Sequence, residues 1–155
     1  GANLTSIYYF QSNRNTTSDS APLQCYSTGN TGAIMSFHKG GYFIMGRDFE
    51  GPNEIRLLAD AGPLGYEQIA AHGHADALSF TLSVGGEEFL IDPGSYAYHT
   101  QGAWREYFRG TSAHNTLRVD GLDQSVQGGN FMWLDKAEAI CSHWQNTASV
   151  DIFEG

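Results

Sequence analysis

Leu78, Phe80, Leu82 and Val84 alternate with Ser79, Thr81 and Ser83, the period of two expected of a strand with one buried face. Gly85-Gly86 turns that strand, and Glu88 to Ile91 returns beside it. Upstream, Ala33 to Phe37 and Tyr42 to Arg47 flank His38-Lys39-Gly40-Gly41, and their apolar, β-branched and aromatic content predicts a hairpin. Further strands are expected over Ile7 to Phe10, Glu54 to Ala59, Asn115 to Val119, Asn130 to Trp144 and Ala148 to Phe153. Gln11 to Pro22 is polar, has neither period and reads as a loop. Residues 93 to 113 look irregular apart from one helical turn over Ala103 to Phe108, and three tyrosines and a tryptophan argue that this long segment is ordered. With no repeat and no sustained helical period, the expected class is all-β, an antiparallel β-sandwich.

Composition narrows this further. A chain of 155 residues is one domain's length and buries roughly 70% of its unfolded surface. Glycine is abundant, 19 residues against 4 prolines, as suits many tight turns between short strands. The net charge of −9 argues against nucleic acid and anionic membranes as general partners, since both would be repelled, while leaving room for an anionic ligand at a local basic spot. Cys25 and Cys141 are the only cysteines; they do not frame the fold, and whether they pair is left open. No apolar run approaches a membrane span, and no basic-then-apolar signal segment is present. The start at Gly1 and the strand-like end at Gly155 suggest one β-sandwich domain, residues 1 to 155, cut from a longer protein at both ends.

The chemistry sits in three places: His72-Gly73-His74, Asp92-Pro93-Gly94 and His114-Asn115-Thr116. Imidazoles and carboxylates ligate metals and move protons. In a straight strand His72 and His74 would share a face. Pairing Val84 with Glu87 across the turn, however, sets Asp92 opposite Ser79, beyond a ligand's reach of His74. The three side chains meet only if His72 to Ala77 curls back across the strand end, which Gly73 and two alanines permit. Then His74, Asp92 and His114 offer two nitrogens and an oxygen, a set suited to zinc. The competing reading is a hydrogen-bonded network, with His114 starting a strand and Asp92 stabilising the Pro93-Gly94 turn. Asp76 is either an acceptor orienting one imidazole or an exposed acid.

These motifs carry a family resemblance. His72-Gly73-His74-Ala75-Asp76-Ala77-Leu78-Ser79-Phe80, Leu90-Ile91-Asp92-Pro93-Gly94 and Tyr107-Phe108-Arg109-Gly110-Thr111-Ser112-Ala113-His114-Asn115-Thr116 resemble the heparinase II/III family of polysaccharide lyases. The likeness continues through Val119-Asp120-Gly121 and Gln124. It implies a supersandwich-like β-domain following an α-helical toroid that is absent from this chain, with zinc held by His74, Asp92 and His114. By the same resemblance His72 faces the substrate cleft and Tyr107 matches an active-site tyrosine of alginate-cleaving members. The implied chemistry is β-elimination on an anionic uronate polysaccharide, such as a glycosaminoglycan or alginate, by a periplasmic or secreted enzyme. The helical domain would supply much of the site, so no turnover is expected of this piece alone.

Arg105 and Arg109 stand among Tyr98, Trp104 and Tyr107. With Tyr98 they could grip an anionic sugar by bidentate bonds and stacking, or equally anchor the long loop through ion pairs, with Glu106 at hand. Tyr96 and His99 read as loop packing, Phe131 and Trp133 as core, and Cys141 with His143 as only a faint metal pair. A cupin-like metal enzyme also uses a His-x-His pair in an all-β fold, but its acidic ligand should follow four or five residues later, where Leu78 and Ser79 stand. The third alternative is a non-catalytic glycan-binding or structural module.

Overall fold

The structure, a computed structural model, describes residues 7–11, 35–66, 68–146 and 150–155. A five-stranded antiparallel sheet runs in sequence order from β2 (Met35–Phe37) through β3 (Tyr42–Arg47), β4 (Ile55–Asp60) and β5 (Phe80–Val84) to β6 (Glu87–Leu90). A three-stranded sheet is formed by β1 (Ile7–Gln11), β10 (Val150–Glu154) and β9 (His143–Asn146), with β10 central. A small hairpin, β7 (Val126–Gly129) with β8 (Met132–Asp135), and one helix, α1 (Gly102–Arg109), complete the elements that matter here.

The alternation legible in the sequence is what joins the two larger sheets. Phe43 and Met45 point inward from β3, opposite Ala59 and Leu57 of β4, which in turn face Phe80 and Leu82 of β5. Onto that row packs Phe153 of β10, fully buried, with its ring 5.0 Å from Phe43, and Trp144 of β9 lies 5.3 Å from the same ring. Two antiparallel sheets face each other across one apolar layer, a β-sandwich as expected.

Departures from the sequence reading are local. The helix has eight residues instead of one turn. Asn115 to Val119 is not a strand; Val119 makes only an isolated bridge to Leu122. The reason is side-chain competition for the backbone. Asn115 Nδ2 donates to the carbonyls of Phe80 and Ile91, at 3.0 and 2.9 Å, and Thr116 Oγ1 donates to that of Ala77 at 2.6 Å. These bonds cap the end of β5 where a ladder would otherwise continue. The long strand expected over Asn130 to Trp144 is two, β8 and β9, with an irregular stretch between, and β7 was not expected at all. Cys25, whose pairing with Cys141 the sequence left open, and the loop expected over Gln11 to Pro22 beyond its first residue fall outside the described residues.

Candidate metal centre and cleft

His72 and Leu78 both adopt left-handed backbone, at φ 64° and 58°. That conformation is costly for a residue with a side chain, and two such residues bracketing a six-residue step are what fold the segment back. The amide of Ser79 donates to the Asp76 carbonyl at 2.9 Å, closing a turn, and the amide of Ala75 donates to the Arg109 carbonyl at 2.8 Å. On the other side, β6 carries a bulge, so Leu82 faces Leu90 while Ser83 faces Glu88. The strand stops at Leu90, and Asp92 accepts the Gly94 amide at 2.8 Å in an Asx turn.

His74, Asp92 and His114 therefore meet: one ligating atom from each lies within 4.8 Å of the other two. His114 Nδ1 is 3.1 Å from Asp92 Oδ2, the two imidazole centroids are 5.2 Å apart, and His74 Nε2 is 2.8 Å from Ser95 Oγ. His114 Nε2 is buried and makes no well-aligned hydrogen bond, although the Phe108 backbone is close enough to favour a proton on the ring. A buried, unpaired nitrogen costs stability unless something binds it. Burial, with help from nearby His114, pushes the His74 pKa down to about 4, so this imidazole is neutral near pH 7 with a lone pair to give. Tetrahedral zinc with bonds of about 2.0–2.2 Å sets ligand atoms roughly 3.4 Å apart. The donor types and the buried nitrogen fit such an ion after the ligand atoms close by at most about 1.4 Å.

The surroundings are acidic. Burial lifts the Asp76 pKa to about 6 and also raises that of Asp60. Asp92 is instead held below the ordinary carboxylate range, chiefly by its hydrogen bond to His114. At His114 burial opposes the charge, but the Asp92 bond, the Asp76 and Asp92 carboxylates and the Phe108 backbone outweigh it and raise the pKa. Between about pH 4 and 6, then, the native metal-free protein keeps a proton on Asp76 where the unfolded chain keeps one on His74. Alone, His74 makes stability rise with pH through that window, and Asp76 makes it fall. Asp76→Asn in the metal-free protein should unmask the first slope and His74→Gln the second. Each approaches, at most, about 1.4 kcal/mol per pH unit, less because both groups retain some solvent screening. Denaturant melts at several pH values would measure both; parallel slopes in the two variants would overturn this account.

His72, His74, Asp76 and Asp92 line one cleft of about 550 Å³, together with Tyr42 and Asp60 from the five-stranded sheet. His72 is exposed, its ring stacked at 5.7 Å on Tyr98 and edge-on at 5.8 Å to Phe131. Tyr107 is not brought to this cleft. Its half-exposed ring lies on the outer side of α1, against Phe108 and Trp104. Neither arginine reaches the cleft surface: Arg105 and Arg109 are 2% and 1% exposed. Arg105 donates to the carbonyls of Ala97 and Asn130, Arg109 to those of Gly73 and Gly129, and Arg109 lies 4.8 Å over the Trp133 ring. Main-chain carbonyls, not Glu106, anchor the loop. Ser95 and Phe131 are site neighbours that the sequence reading missed or gave to the core. Ser95 could have been found from the Asx turn immediately before it; Phe131 carries no such signal.

A family model described as heparinase II/III-like, C-terminal, matches residues 30–154. No curated protein matches the chain. A crystal structure of heparinase III superposes on 81% of the chain with a TM-score of 0.63 at 21% identity, a likeness of fold. A heparinase III gene product, also solved with methylated lysines, covers 74% at a TM-score of 0.57 and 26% identity. The chain spans only 18% and 16% of those two proteins.

Proposed function

The chain belongs to the heparinase II/III-like C-terminal family, and from that premise we propose that it is the β-domain of a lyase cleaving uronate polysaccharide by β-elimination. The observation that carries the proposal is the convergence of His74, Asp92 and His114, the first two of which line the same cleft as His72. His74, Asp92 and His114 would hold a structural zinc. When bound, the ion supplies a fixed positive charge that locks the folded-back segment to Asp92 and His114.

β-Elimination removes the C5 proton of a uronate, forms the C4–C5 double bond and expels the 4-linked oxygen, which takes up a proton. The substrate carboxylate beside C5 must have its charge offset for that proton to leave. His72 is proposed to do this, because it is exposed at the cleft while its partner His74 is drawn inward. Tyr107, which the resemblance matches to an active-site tyrosine, stands against Trp104 and Phe108 away from the His72 cleft, so the proton-transferring groups are proposed to come from a helical domain of the whole protein. Export to the periplasm or outside the cell follows from such a substrate. Among the described residues no helix is long and apolar enough to cross a membrane.

Metal analysis of the intact protein should find one zinc per chain. Ultraviolet absorbance from unsaturated product should then rise on at least one of heparan-, alginate- and glucuronan-type chains. A zinc-loaded whole protein, helical domain included, that is silent across that panel would sink the lyase reading. A metal-free network is the second reading, favoured by the direct His114 to Asp92 hydrogen bond; absence of zinc from protein prepared without chelator would select it.

A further inference from the structure

The side chains around His72 are organised by a group that never touches the cleft. Arg105 is buried, and its Nη1 donates to the Ala97 carbonyl at 2.8 Å, while Nε and Nη2 donate to the Asn130 carbonyl at 3.2 and 2.7 Å. Each carbonyl immediately precedes an aromatic residue, Tyr98 and Phe131. The guanidinium carbon lies 5.5 Å from the Tyr98 ring and 5.0 Å from the Phe131 ring, which are 5.1 Å from each other. Both rings also contact the His72 imidazole, Tyr98 nearly parallel at 21° and Phe131 at 61°.

One cation thus fixes two rings by their backbone and by their π-systems, and the rings wall an imidazole whose own backbone is left-handed at φ 64°. Such strain persists only where surroundings over-determine it. We propose that Arg105, Tyr98 and Phe131 are positioning residues that hold the His72 imidazole toward the cleft; this rests on the reading of His72 as the uronate contact. Arg105 then serves the anionic substrate at one remove and does not bind it. A planar fork is required, because one group bridges two carbonyls and lies against two rings at once. A lysine cannot reproduce this.

The test is made in the intact protein with Arg105→Met, Arg105→Lys and, in case both fold poorly, Phe131→Leu, which leaves the arginine's bonds in place. Histidine-selective NMR reads the His72 ring protons directly. In the parent protein they should be shifted upfield by the Tyr98 ring, and in all three variants they should move toward the ordinary imidazole position. On whichever polysaccharide is cleaved, kcat should fall roughly 10- to 100-fold, as expected for about 1 Å of misplacement, with a smaller change in KM and unchanged zinc content. A retained upfield shift in a folded variant would overturn the proposal, as would a lost shift with unaltered kcat. If the parent protein cleaves nothing, the lyase reading fails separately, and the NMR shift alone still decides whether these residues position His72.

Discussion

His114→Ala should abolish zinc retention and destabilise the protein, relative to its zinc-loaded parent, by about 3–5 kcal/mol, the range for removing one partner of a buried charged pair. His114 is 8% exposed, it bonds Asp92 through Nδ1, and its Nε2 makes no well-aligned hydrogen bond. Truncation removes a proposed ligand, unpairs Asp92 and leaves a void at once. Stripping zinc from both proteins separates these effects. Without metal, the remaining difference should shrink to about 1–2 kcal/mol, the cost of one charge-assisted hydrogen bond and some packing. Thermal and urea melts before and after chelation measure both figures. A parent protein whose melting temperature ignores the chelator would show that His74, Asp92 and His114 form a network sufficient in itself.

What the sequence disclosed about this centre, and what it hid, divides along physical lines. The strands β3, β4 and β5 were legible because each presents one face to a single apolar layer, which imposes a period of two. The meeting of His74 with Asp92 was legible only as a condition, that the segment fold back. Its fulfilment depends on left-handed backbone at His72 and Leu78, residue types that give no warning of it. Asn115 and Thr116 misled for the opposite reason: β-branched and apolar neighbours suggest a ladder, yet these two side chains bond carbonyls of distant segments. The buried arginines were ambiguous for a third reason. An arginine reads as a surface or ligand-binding residue until the carbonyls it will satisfy are placed, and those of Asn130 and Gly129 come from the hairpin β7–β8, which the sequence pattern does not announce.

Gly73→Ala should cost about 2–3 kcal/mol, typical of overpacking a tight site, and weaken zinc retention roughly 10- to 100-fold, as loss of support around a ligand does. Gly73 does not need glycine for its dihedral; it needs it for space. A Cβ there would lie 2.9 Å from the Gly65 nitrogen, 3.0 Å from the Gly65 Cα and 3.1 Å from Leu64 Cδ1. Gly65 cannot simply retreat. The Tyr66 and Ala71 backbones exchange hydrogen bonds of 3.0 and 3.1 Å, which tie its turn to the segment leading into the histidines. From the other side Trp133 Nε1 and Arg109 Nε hold the Gly73 carbonyl at 3.2 and 3.4 Å. The added methyl therefore displaces the peptide between His72 and His74, moving a cleft residue and a proposed ligand together. Gly86→Ala is the contrasting case: its φ is 84° but no atom lies within 4 Å of the new Cβ. It should lose about 1–2 kcal/mol to backbone strain and leave zinc retention untouched. Competition against a metal-sensitive chelator, alongside urea melts, compares the two variants; equal zinc retention in both would show that the Gly73 contact relaxes without moving His74.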